Sequence, residues 1–565
     1  MDQALRGAVT LLAWVPRLTL AAMLLPVAAG LWGVFAPLFG FITLNGASAA
    51  PMADVLAWPG LPRAAWLSVV TGVGSTLIAL GLVILILSQL HGSRALMWLR
   101  RALSPLLSVP HASAAFGLAF MIAPSGWIAR AVSPWLTGWD RPPDLLILND
   151  PAGIALTLGL AVKEMPFLLL IALAALAQTD AIRSLAVARS LGHSGAGAWL
   201  KVVLPRLYGQ IRLPVYVVLA YAMTAVDMAL ILGPTTPSTL SVQILRWMSD
   251  PDLTLRLQGA AGAVIQLALV IAALAAWFLA EKLVGKLGLL WITSGTRSPW
   301  LPALRPLAIA AAATSAIAVL GGLASLAVWS FAARWQFPDA LPEALTTRTL
   351  DRFLPQLGAP LAETALIATT TTLIALILCI GCLEAGYRKR KPLEGRVMWL
   401  VYLPLLIPQI AFLPGLQVLL ISGGLTMGRW VVILSHLVFV IPYIFLSLSD
   451  PWQAWNTRHA TVAHALGASP TRVLFAIRLP MLLAPILTAA AVGFAVSVGQ
   501  YLPTLLAGGG RIATLTTEAV ALASGGDRRA IGVYGIALTL AALLPFALAL
   551  ALPRILYANR RGTHP

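Results

Sequence analysis

Twelve long apolar stretches run through this chain and constrain its fold more than any other feature. They cover residues 18–40, 65–90, 103–131, 152–176, 212–233, 257–280, 305–331, 363–386, 397–422, 430–449, 481–505 and 531–553. About 20 apolar residues in a helix cross the hydrocarbon core of a bilayer. Twelve such runs predict an all-α polytopic membrane protein. Composition agrees, since 59% of residues are apolar and only 10% are charged, against about 45–50% and about 25% in a soluble domain. A soluble globular protein, a disordered chain and a collagen-like chain are excluded. The first run is longer than the 7–15-residue core of a signal peptide, so a retained first helix is expected. Pro110, Pro124, Pro166, Pro404, Pro408 and Pro442 interrupt several runs. Membrane helices tolerate such breaks where neighbours satisfy the freed backbone groups, and here they predict a bundle that lines a path.

The net charge of +18, from 38 Lys+Arg against 20 Asp+Glu, reads as topology rather than as nucleic-acid binding. With the N-terminus inside, the loops carrying Arg94, Arg100 and Arg101, then Arg183, Arg189, Lys201 and Arg206, then Lys282, Lys286 and Arg297 all fall on the cytoplasmic side. So do the run Arg388, Lys389, Arg390, Lys391, the set Arg458, Arg472, Arg478 and the tail with Arg554, Arg560 and Arg561. Five of the six lysines are cytoplasmic in this arrangement. This is the positive-inside bias, and an even number of spans places both termini inside. Cys379 and Cys382, buried in an apolar run, make no disulfide framework. No His or Cys cluster has metal-binding spacing.

The chain also repeats itself. Residues 179–205 and 454–480 align so that Gly192 meets Gly467 and Pro205 meets Pro480, both 275 positions apart. Upstream, Pro166-Phe167 meets Pro442-Tyr443 at an offset of 276. The simplest organisation is a first six-helix repeat over 1–281, a cytoplasmic linker over 282–304 and a second six-helix repeat over 305–565. Six spans per half make the repeats parallel, related by an axis along the membrane normal. Each duplicated segment lies between the fourth and fifth span of its half. It reads as a short helix, a Gly-terminated turn and a second helix ending at Pro.

These two loops resemble the EAA loop of binding-protein-dependent ABC transporter permeases. Ala186, Ala188, Gly192, Leu204 and Pro205 match it in the first half, and Thr461, Ala463, Gly467, Leu479 and Pro480 in the second. Ala186 and Thr461 stand where that pattern has its acidic residue. The segment 401–416 also resembles the family's pore-lining third span, and 496–509 its fifth-span motif. Two fused copies resemble the permeases of thiamine and ferric-iron importers; polyamine and oxyanion importers are related. The resemblance implies a type I importer permease in a bacterial inner membrane. It also implies a cytoplasmic ATPase homodimer docked on both loops and an external solute-binding protein. No phosphate-cradling G-x-x-x-x-G-K-[ST] is present; the one Gly-Lys pair is Gly285-Lys286. ATP and Mg therefore belong on the partner, with no cofactor on this chain and no catalytic constellation.

Ionisable residues within spans cost about 2.5–3.5 kcal/mol near the centre on insertion scales. Lys163, Glu164 and Asp227, with Gln409 and Gln500, are therefore the candidates for a translocation path or gate. An interhelical structural pair is the alternative for the charged three. A twelve-helix secondary transporter shares the parallel six-plus-six plan, but would need a coupling-ion site and no ATPase. Most of the 19 Trp fall near span ends, as an interfacial belt.

Overall fold

Helices that are apolar on every side leave no face for water, and each satisfies its own backbone, which hydrocarbon demands. A computed structural model describes residues 2–42, 50–298, 300–389, 395–523 and 525–556. Arg390, Lys391, Arg560 and Arg561 lie outside the described residues. Within those residues the regular structure is helical, apart from one isolated bridge between Ala332 and Leu345.

The first half runs α1 (Asp2–Phe35), α2 (Leu61–Leu90), α3 (Arg94–Ser108), α4 (His111–Ile122), α5 (Ile154–Ala177), α6 (Ala181–Ser190), α7 (Leu204–Ala222), α8 (Asp227–Leu232), α9 (Leu240–Ser249) and α10 (Leu253–Thr293). The second runs α11 (Arg305–Phe331), α12 (Arg348–Arg388), α13 (Gly395–Leu406), α14 (Gln409–Ser422), α15 (Arg429–Ala454), α16 (Arg458–Ala465), α17 (Leu483–Val498), α18 (Leu502–Gly508), α19 (Leu515–Ala523) and α20 (Arg528–Leu556). Among the described residues ten helices are long and apolar enough to span a bilayer. Two bent pairs raise this to twelve. One joins Trp399–Leu406 to Gln409–Ser422 at 77°, the other Pro470–Met481 to Leu483–Val498 at 75°.

The apolar runs do not show where helices break. Run 103–131 divides at Val109-Pro110, so that amphipathic α3 precedes the span instead of belonging to it. Run 212–233 stops at Ala222 and restarts at Asp227. Run 481–505 stops at Val498 and restarts at Leu502. The last two breaks are the same feature in two copies. A broken helix frees carbonyls that must find donors. Buried Gln266 donates its Nε2 to Met223 O at 3.1 Å, and Thr516 Oγ1 donates to Val498 O, 275 residues further on. The helices that follow are tied down alike. Leu240 N donates to Ser68 Oγ at 3.0 Å and Leu515 N to Thr364 Oγ1 at 2.9 Å. The repeat read in the loops thus extends through the core.

The first helix of each half packs on the other half. α1 lies along α14 and α12, and α11 lies along α4, α2 and α20. Glycines make the crossings close. A Cβ at Gly33 would sit 2.0 Å from Gly415 O, and one at Gly117 would sit 2.7 Å from the backbone of Gly322. Small residues at such crossings let backbones approach, which is how helices associate where lipid removes the hydrophobic drive.

Candidate functional site

The duplicated loops share one backbone design. α6 buries Ala181, Leu185 and Ala188 against the bundle, and α16 buries Ala460 and Ala463. Each helix ends in a left-handed glycine, Gly192 at φ 84° and Gly467 at φ 81°. Behind each glycine a 6→1 hydrogen bond closes the turn: His193 N to Ala188 O at 3.2 Å, and Ala468 N to Ala463 O at 2.9 Å. That is the Schellman ending, which glycine adopts without a Cβ penalty. Ser194 and Ser469 then cap the next helices, accepting from Gly197 N and Arg472 N. Each continues through one π-helical turn, Trp199–Val203 and Leu474–Arg478, into Leu204-Pro205 and Leu479-Pro480. A π-turn is rare and clusters at functional sites; two of them, 275 residues apart, mark one device used twice.

The positions of the family's Ala-rich stretch differ in exposure. Ala186 and Thr461 face outward, while Ala188 and Ala463 are buried. Beside them stand four side chains that the motif alone does not single out. Val187 and Leu191 are 57% and 63% exposed, and Val462 and Leu466 are 61% and 83% exposed. The i,i+4 spacing sets each pair on one helix face. Their only sequence signal was identity across the 275-residue offset.

The two loops are fastened by different means. In the first, buried Lys201 Nζ donates to Trp291 O at 3.1 Å and Thr296 O at 2.7 Å, above the Trp291 ring. Arg297 donates to Leu191 O at 3.1 Å and covers Gly192. In the second, Arg478 pairs with Glu384 at 3.0 Å and bonds Trp452 O at 2.9 Å, between the rings of Tyr387 and Trp452. Among the described residues, nothing lies within 4 Å of a Cβ placed on Gly467, while the segment from Trp291 to Arg297 braces the first loop.

The second feature is a buried polar cluster between the halves. Lys163 and Glu164 are adjacent on α5, pointing about 100° apart, and both are buried. Lys163 Nζ donates to Leu107 O at 3.3 Å and Leu106 O at 3.5 Å. Glu164 Oε1 lies 3.9 Å from His111 Nδ1, and neither atom has a hydrogen-bond partner among the described residues. Asp227 opens α8 and is buried there, with the Tyr221 hydroxyl acting on its carboxylate. Lys163 lies within electrostatic range of both carboxylates. The Tyr221 ring lies against the His111 ring, tilted by 40° with centroids 4.8 Å apart. From the second half, Tyr443 reaches the field of Glu164 and Tyr501 that of Asp227. Gln409 donates to Gln500 Oε1 at 3.0 Å, beside Tyr501. The fold therefore gathers the three charged candidates, and bonds the two glutamines to each other. His111, Tyr221, Tyr443 and Tyr501 complete the cluster; sequence reading passed over them because an aromatic or a histidine in an apolar run looks like core.

Comparison of the sequence with known proteins relates the chain to a transport family. The sequence profile of the binding-protein-dependent transport system inner membrane component fits residues 377–561. The inner membrane ABC transporter permease protein YnjC of Escherichia coli K12 is 32% identical over 501 residues, 87% of this chain and 88% of YnjC. The chain belongs to this family. The permease is also similar to shorter members. The spermidine/putrescine transport system permease protein PotC homolog of Mycoplasma genitalium is 28% identical over 190 residues, 33% of this chain and 66% of the relative. The molybdenum transport system permease protein ModB of Mycobacterium bovis is 27% identical over 179 residues, 28% of this chain and 67% of the relative. The permease is thus a multi-pass inner-membrane transport subunit of type I fold.

Proposed function

We propose that this permease forms the translocation path of an ATP-driven importer. Both α6 and α16 face the cytoplasm, as do both termini, and each coupling loop seats one subunit of a separate ATPase dimer. ATP and Mg bind that partner. An external solute-binding protein delivers the cargo, and the cluster of Lys163, Glu164 and Asp227 lines the path near its constriction, with Gln409 and Gln500 beside it. The observation that carries this reading is the twofold loop, with its left-handed glycine, serine cap and π-turn repeated at one offset. A single amphipathic loop has many uses. Two of one backbone design, set symmetrically on one side of a bundle, fit a partner that is itself a dimer.

The glycines supply the test. A β-branched residue at φ near +80° strains the turn, and at Gly192 it also meets Arg297. Gly192→Val with Gly467→Val is expected to abolish co-purification of the ATPase and ATP-dependent uptake, with membrane insertion unchanged. Uptake that survives ATP depletion, with no ATPase found on the wild-type chain, would establish a secondary transporter instead. For cargo, the fused arrangement favours a thiamine-like or ferric solute, and the shorter relatives add polyamine and molybdate transport as chemistries to test first.

A further inference from the structure

We infer that the ATPase groove receiving these loops has two apolar sockets inside an acidic rim, the reverse of the charge that an acidic loop residue would call for. The inference rests on the docking proposed above and deepens it. The sockets follow from Val187 with Leu191 and Val462 with Leu466, each pair projecting from the bundle on one helix face. Apolar side chains so exposed at matched positions mark a surface that is covered in use.

The rim follows from what surrounds them. Arg183 and Arg458 occupy equivalent positions four residues before the valines, and both are exposed. Arg189 and His464 are equivalent, exposed, and lie between the members of each apolar pair in sequence. Arg472 adds a further exposed cation to the second loop. Against these, residues 179–205 contain one carboxylate, Asp180, and residues 454–480 contain none. Ala186 and Thr461 leave the outer face of each helix without an acid. The two copies have diverged at most other positions, yet both keep arginine, apolar, Arg or His, apolar in the same register. A groove that meets both must answer the same pattern twice, and like charge facing these arginines would repel. Anionic lipid headgroups are the rival occupant for a basic surface, and the test separates them.

The experiment uses the full permease co-expressed with the ATPase subunit from its own host, measuring bound ATPase per permease as NaCl rises from about 0.1 to about 1 M, where the Debye length shrinks from about 10 to about 3 Å. Retention is expected to fall at least tenfold. Arg183→Glu with Arg458→Glu should release the ATPase at low salt, and Arg183→Lys with Arg458→Lys should hold it. Changing acidic groove residues of the ATPase to Lys should restore binding to the Glu variant. ATPase that stays bound through high salt and charge reversal, but leaves with Leu191→Asp and Leu466→Asp, overturns the acidic rim while keeping the docking. So does charge reversal that alters only binding to phosphatidylglycerol vesicles. Absence of any ATPase from the wild type at low salt overturns both readings.

Discussion

Lys163 and Glu164 stand where the second half carries Phe439 and Val440, by the offset that matches Pro166 to Pro442. The second copy buries those apolar residues completely enough to show that this position needs no charge to pack. A buried carboxylate with an unpartnered oxygen is instead a standing cost, retained in one half only. If the cluster lines the path, the double change Lys163→Phe with Glu164→Val, which copies the second half, leaves expression and ATPase binding intact and lowers uptake at least tenfold. That corresponds to about 1.4 kcal/mol or more of lost coupling. Unchanged uptake at unchanged protein level would assign the pair to structure alone. At this scale the sequence was partly legible. Charges inside apolar runs announced themselves by their rarity. Tyr221, Tyr443 and His111 did not, because only the third dimension separates a ring in the core from a ring at a polar junction.

Among elements, the helix breaks and the crossings carry the architecture. Apolar composition located the spans, since burial in lipid imposes it on whole segments. It was silent on breaks such as 223–226, because the donors that permit them, Gln266 and Thr516, sit on other helices, 43 and 18 residues further along the chain. It was equally silent on the exchange of first helices, since a run that is apolar all round names no preferred neighbour. The glycines give the measurable consequence. Gly33→Leu drives a side chain into the backbone at Gly415 and is expected to lower the detergent-solubilised melting temperature by several degrees, the scale of a few kcal/mol in a packed interface. Gly81→Ala, on α2 with nothing within 4 Å of its Cβ, should leave the melting curve unchanged or raise it slightly. Equal effects of the two changes would remove close approach as the reason for glycine at the crossing.

For the whole molecule, the reading of two fused permease copies explains why the loops, breaks and caps recur at one spacing. It does not make the copies equal. The first loop is held by the interhalf segment through Lys201 and Arg297, the second by Arg478 within its own half. The crossing of α1 onto α14 also sets an order of events during synthesis. Gly30 meets the backbone of Phe412, a residue added hundreds of steps later. At bacterial rates of about 5–20 residues per second, α1 waits roughly 20–80 s in the membrane before its partner exists. A chain ended near residue 300 should therefore insert and then be cleared by membrane proteases, and pulse-chase labelling should give it a far shorter lifetime than the full chain. Co-expressing residues 305–565 as a separate polypeptide should extend that lifetime. If the truncated chain is as long-lived alone, α1 does not depend on the second half. The same crossing makes the newborn first half an orphan awaiting rescue, so the rate at which ribosomes finish the message becomes a determinant of yield.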